Sequence, residues 1–139
     1  MVLLAIGSGA CGEDRAGIPA GCRAGADALR TALKRAPAPV HLEGTPLSEC
    51  LSDTSGGGDL LEVGTAYIDV ASQLADDARA DRDGRAAVQL GYLVGAAERG
   101  ERGAQGVGYE LGRRLRAEAA RGGASAAFRR GRRAGRAGG

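Results

Sequence analysis

The chain reads as all-α: a small bundle of four to five helices, with a flexible N-terminal tether and a basic C-terminal tail. Three observations predict this. Aromatic residues make up 3% of the chain, Phe128, Tyr67, Tyr92 and Tyr109 being the whole set, so the core has to be assembled from Leu, Val and many Ala. Ala and Leu are the best helix formers, whereas strands favour β-branched and aromatic side chains. The apolar positions also recur every three or four residues, most clearly from Leu60 to Ala78. A length of 139 residues suits one core and not two.

The elements follow in order. Residues 1–10 are apolar, small and uncharged, and 11–21, with Gly17, Pro19 and Gly21, have no apolar period and read as a tether. The helical domain is expected over 22–123. From Cys22, the residues Ala26, Leu29 and Leu33 share one helix face, with Asp27 early and Arg30, Lys34 and Arg35 late, as the helix dipole favours. Pro37 and Pro39 stop that helix, because neither supplies a backbone N–H. Val40 to Gly44 reads as extended. Thr45-Pro46 then reads as a helix start, with Thr as N-cap and Pro at the first helical position, leading into a brief helix from Leu47 to Ser52.

Asp59 is expected to open the longest helix, with Leu60, Val63, Tyr67, Val70, Leu74 and Ala78 along one stripe and Asp69, Gln73, Asp76, Asp77 and Arg79 opposite. The next helix begins after Asp83-Gly84. Its apolar face is Ala86, Ala87, Leu90, Leu93, Val94 and Ala97, and Gly91 and Gly95 stand four apart, a spacing that lets a neighbouring backbone come close inside a bundle. Gly108 to Ala120 carries Leu111, Leu115 and Ala119, and Gly122-Gly123 ends it. Within 124–139, Ala124 to Arg130 is expected as a short helix that buries Phe128, and Arg129 to Gly139 as a frayed Arg/Gly-rich tail.

Charge is distributed unevenly. Residues 1–109 carry 10 basic and 15 acidic side chains, net −5, whereas 110–139 carry nine Arg against Glu110 and Glu118, net +7. The tail arginines Arg129, Arg130, Arg132, Arg133 and Arg136 are therefore the candidates for binding an anionic surface. Nucleic acid is the less favoured partner, because no aromatic other than Phe128 is interleaved with them and no recognition motif accompanies them. Arg so outnumbers Lys, with Lys34 the sole Lys, that the usage is similar to that of proteins from GC-rich bacteria.

Val2 to Gly12 admits two readings. Gly7-x-Gly9-x-x-Gly12 after an apolar run has the spacing of a nucleotide phosphate loop, which would make the chain an α/β enzyme. Such a loop must open directly into a helix, and Gly17, Pro19 and Gly21 break one there. The other reading is export. Ser8-Gly9-Ala10-Cys11, after an apolar segment and before Gly12-Glu13-Asp14, resembles the signal junction of bacterial lipoprotein precursors, with Ser8 where Leu is usual. The resemblance is confined to residues 2–14. It implies lipid attachment at Cys11, residues 1–10 as the remnant of a signal peptide, and a location on the outer face of the cytoplasmic membrane or in the cell envelope. A start placed upstream of Met1 would supply the rest of the signal.

With Cys11 acylated, Cys22 and Cys50 remain as a pair, which suits a disulfide. Catalysis finds little support. His41 is the only His and the natural base for a Ser or Cys nucleophile, yet it reads as a loop or edge residue, and Asp76-Asp77 and Asp81-Asp83 read as solvated charges. No Cys-x-x-Cys pair is present and neither a metal nor a cofactor is expected. The expected role is non-catalytic: binding or organising a component of the cell envelope, with anionic lipid or wall polymer as the surface met by the arginines.

Overall fold

A computed structural model describes residues 17–52, 57–102 and 106–139. Five α-helices carry the architecture: α1 (Gly25–Leu33), α2 (Gly57–Ala80), α3 (Arg85–Gly100), α4 (Val107–Gly122) and α5 (Ala126–Gly138). A 3-10 turn at Ala20–Arg23 precedes α1, and a second at Glu49–Leu51 precedes α2. The expected all-α fold is what is found, with one addition: a two-residue hairpin of β1 (His41–Leu42) and β2 (Thr45–Pro46).

That hairpin corrects the expected helix start at Thr45-Pro46. Glu43 and Gly44 both have positive φ, 48° and 86°. Two consecutive left-handed residues make a type I′ reversal, whose twist matches that of paired strands. His41 therefore faces Pro46 and Leu42 faces Thr45 in antiparallel register. Glu-Gly at the turn outweighs the local capping preference of Thr, and only the 3-10 turn Glu49–Leu51 follows. The chain also differs at Cys22, which lies in the first 3-10 turn and not in a helix; α1 begins at Gly25, whose φ of +85° breaks the path between the two.

α2 and α3 form an antiparallel hairpin through Asp81 to Gly84, and α4 returns across both. Along the α2–α4 seam, Gly64 meets Leu111 and Gly122 meets Ala75, so these helices run in the same direction. Along α3–α5 the same holds, with Gly91 between Phe128 and Arg132, and Gly95 between Arg132 and Arg136. α1 covers α2, tied by Arg30 to Asp77 at 2.9 Å and to Gln73.

The core is one cluster of Leu, Val and Ala with two fully buried tyrosines, as the composition demands. Each hydroxyl has a partner, so burial leaves no polar atom unpaired. Tyr67 donates to the Leu47 carbonyl at 3.3 Å and Tyr92 accepts from the Val40 N–H at 2.9 Å. Burial pushes both phenols above their ordinary pKa, Tyr67 the further.

The disulfide Cys22–Cys50 joins the two 3-10 turns, with a Cα separation of 5.4 Å across 28 positions of sequence. Both cysteines are buried, at 3% and 0% exposure, so reductants meet the bond only when this end of the fold opens.

The last element overturns the expected tail. Residues 126–138 are helical to the end, and the segment is seated on α3 and not frayed. The reason is a glycine seam that was expected on α3 but not on its partner. A Cβ on Gly91 or Gly95 would strike the carbonyl of Phe128 or Arg132, and one on Gly131 or Gly135 would strike the carbonyl of Val88 or Tyr92. Glycines on both helices thus allow backbone to touch backbone. The contact suits weak Cα–H···O interactions and dispersion, which need such closeness. Ser125 caps the helix by accepting from the Phe128 N–H at 3.1 Å.

Candidate functional site

The five candidate arginines all lie on α5, and the glycine seam dictates what each can do. With Ala127, Gly131 and Gly135 turned into α3, the long side chains are left for the flanks and the outer face. They divide into two sets.

Arg132 and Arg136 serve the fold. Arg132 Nε donates to both Glu98 oxygens at 3.0 Å, and Arg136 Nε donates to Glu98 Oε2. The Glu98 side chain is 12% exposed. Burial is the largest single influence on it and would raise its pKa, but the hydrogen bonds and charges of the two arginines together outweigh burial and hold the carboxyl below its ordinary value. The hydrogen bond to Glu98 in turn raises the Arg132 pKa. Arg99 completes the clasp from α3, donating to the Ala137 carbonyl at 2.8 Å and the Arg136 carbonyl at 3.2 Å, where the last carbonyls of a helix lack partners. Ser48 closes the far end by donating to a main-chain oxygen of Gly139.

Arg129, Arg130 and Arg133 form the second set. All three are exposed, and none has a carboxylate partner among the described residues. Arg129 donates through Nη1 to the Ala124 carbonyl at 2.7 Å, which holds its guanidinium beside the first turn. Positions 129 and 133 are four apart and 130 and 133 three apart, so the three guanidiniums share one side of the helix. Phe128 is 8% exposed, so it is not free to stack on a base.

Other candidates are placed less favourably. His41 is exposed on β1, as an edge residue should be. Asp76 receives Arg79 at 2.7 Å and Arg121 at 3.1 Å, and Asp77 receives Arg30; these carboxylates clasp helices together at the surface. As expected, Asp76 and Asp77 are solvated, with side chains 52% and 54% exposed, and they pair with arginines of neighbouring helices as well. Among the described residues no cluster of His, Cys, Asp and Glu is arranged to hold a metal, and no helix is long and apolar enough to cross a membrane. Cys11 and the Gly7, Gly9 and Gly12 loop lie outside the described residues.

Two features escaped the sequence reading. Glu98 as the counter-charge to α5 is one; its signal was an acidic residue at the polar edge of a helix whose glycines already called for a close partner. The other is an apolar groove between α2 and α4, lined by Leu60, Leu61, Gly64, Ile68, Val107 and Leu111. Compared with protein-family models, curated proteins and solved structures, the chain matches none of them.

Proposed function

We propose that the chain is a non-catalytic binding module of the cell envelope, held at the membrane by lipid on Cys11 and turned toward an anionic surface by α5. The observation that carries this reading is the division of the α5 arginines. Two share the Glu98 carboxylate, while Arg129, Arg130 and Arg133 stand together on one side of the helix with no counter-charge among the described residues. Three guanidiniums on one helix side suit a surface of repeated negative charge, such as lipid head groups or an anionic wall polymer, and each contributes about 1 kcal/mol near such a surface. The Cys22–Cys50 disulfide favours an oxidising compartment.

Two experiments test the two halves. Vesicles of phosphatidylcholine with phosphatidylglycerol should pull down the protein, and vesicles of phosphatidylcholine alone should not. Substituting Glu at Arg129, Arg130 and Arg133 together should weaken capture on the order of a hundredfold or more. Capture that survives the triple change removes α5 from the function. For the anchor, cells fed labelled palmitate should label the protein expressed with its native upstream sequence, and Cys11→Ser should abolish the label. An unlabelled wild-type protein refutes lipid attachment.

A further inference from the structure

The groove between the N-terminal halves of α2 and α4 has a volume of about 360 Å³, within the range of small-ligand sites. Its walls are Leu60, Leu61 and Ile68 on one helix and Val107 and Leu111 on the other. Three large apolar side chains stand exposed among the described residues, Leu61 at 65%, Val107 at 46% and Tyr109 at 56%, and the first two line this groove. Exposed apolar area gathered around a concavity marks a binding surface more than scattered exposure does.

The walls offer almost nothing to a polar ligand. Thr65 is the one hydroxyl among the lining residues, and it already donates to the Leu61 carbonyl at 3.0 Å. Sugars and nucleobases would lose hydrogen bonds to water there without regaining them, whereas a hydrocarbon chain loses none. The charged end of the groove is different. Glu110 accepts two bonds from Arg113, both at 2.8 Å, and a third from Arg114 Nε at 3.0 Å. One carboxylate therefore answers two guanidiniums, leaving an excess of one positive charge. The terminal nitrogens of Arg114 have no carboxylate partner among the described residues. The hydrogen bonds from Arg113 and Arg114 hold the Glu110 carboxyl down at about 2, so the arrangement keeps its charge throughout the physiological range.

We propose that this groove binds a single-chain anionic amphiphile of the fatty-acid class, its hydrocarbon lying between Leu61, Ile68, Val107 and Leu111 and its carboxylate on the terminal donors of Arg114. A carboxylate matches the excess of one charge and the planar, forked donors of a guanidinium. A second copy of this chain fits less well, because a twofold contact through the groove would bring the same cationic rim toward itself. The site is separate from α5 and does not rest on the envelope reading.

The test uses the full chain and dodecanoate below its micelle concentration, followed by titration calorimetry. One-to-one saturation is expected, with affinity about tenfold or more above that for dodecyltrimethylammonium, which has the same tail and the opposite charge. Arg114→Gln should lower dodecanoate affinity about tenfold and leave binding of the uncharged dodecyl maltoside unchanged, and Leu61→Asp should weaken all three probes. Both residues are exposed, and an unchanged thermal midpoint for each variant shows that the fold is retained. The Arg129, Arg130 and Arg133 triple variant should bind dodecanoate as the wild type does. No saturable binding, equal affinity for the cationic probe, insensitivity to both substitutions, or a dimer split by Leu61→Asp would each overturn the proposal.

Discussion

The α3–α5 and α2–α4 seams are built from the same kind of helix pair, running in the same direction and carrying glycine, yet one closes and the other gapes. On α3–α5 the glycines face each other from both sides, Gly91 and Gly95 against Gly131 and Gly135, so the two backbones meet. On α2–α4 the glycines do not face each other: Gly122 of α4 lies against Ala75 at the far end of the seam, and Gly64 of α2 stands at the groove end. Gly64 meets the Leu111 side chain, where a Cβ would sit at 3.1 Å from two methyl groups that can move. Nearby Gly112 does not help to close the seam, because its space is filled by the Glu101 carboxylate reaching Arg116 at 2.8 Å. Glycine facing glycine makes a backbone contact that tolerates nothing larger, and glycine facing a movable side chain leaves room that a ligand can use.

The largest effect should come from putting bulk into the closed seam. Gly131→Leu forces a side chain into the Val88 carbonyl, and backbone has no rotamer with which to yield. A loss of about 3 kcal/mol or more is expected in urea unfolding, with amide exchange in 126–138 rising above that of α2. Next comes the brace at the other end of the fold. Replacing Cys22 and Cys50 by Ser should cost about 3 to 4 kcal/mol on the chain-entropy estimate for a loop of this length. Denaturation with and without a strong thiol reductant reads it directly, the wild type converging on the variant once reduced.

Glu98 gives a smaller effect with a pH signature. Its folded pKa lies below the ordinary value of 4.5, so the stability it contributes is complete above that value and is lost as pH falls through the lowered folded value. Glu98→Gln should cost about 1 kcal/mol at neutral pH, the arginines being part-exposed, and should flatten the stability profile below pH 4.5. A wild-type profile as flat as that of the variant would show that Glu98 does not clasp α5. Removing the outer charges should matter least to the fold: Arg130→Ala and Arg133→Ala should each stay within about 0.5 kcal/mol of wild type, since both are exposed and neither holds a partner among the described residues.

How much of this could be read beforehand differs between the same regions. The stripe from Leu60 to Ala78 announced α2 because about five turns of period give a strong signal, and Gly91 with Gly95 announced a close neighbour for α3. What hid the neighbour was composition. Arg-Arg-Gly-Arg-Arg-Ala-Gly-Arg-Ala-Gly-Gly is polar and glycine-rich, and glycine lowers helix propensity, so local rules read a frayed tail. Yet Gly131, Gly135 and Gly139 repeat every four residues, the same period as Gly91 and Gly95, and that match between distant segments was the available signal. Tertiary contact supplies what propensity withholds. The hairpin at Glu43-Gly44 was missed for the opposite reason, a good local cap at Thr45 being overridden by a turn two residues earlier. The disulfide partners were legible by counting, once Cys11 was set apart. The α2–α4 groove was not, because it depends on which side of each helix lacks bulk, a property of the pair and not of either helix.

A single paired measurement tests the contrast most directly: equilibrium urea unfolding of Gly91→Ala and Gly64→Ala against the wild type. Both substitutions place the same methyl group in the interior of a helix, where Ala is favoured over Gly by about 1 kcal/mol. At Gly64 the movable Leu111 side chain should yield, leaving the variant as stable as the wild type or up to about 0.5 kcal/mol more so. At Gly91 the methyl meets the Phe128 carbonyl, and a loss of about 2 kcal/mol or more is expected. Equal effects of the same sign at the two sites would contradict the account, because α5 would then not be seated on α3 backbone to backbone.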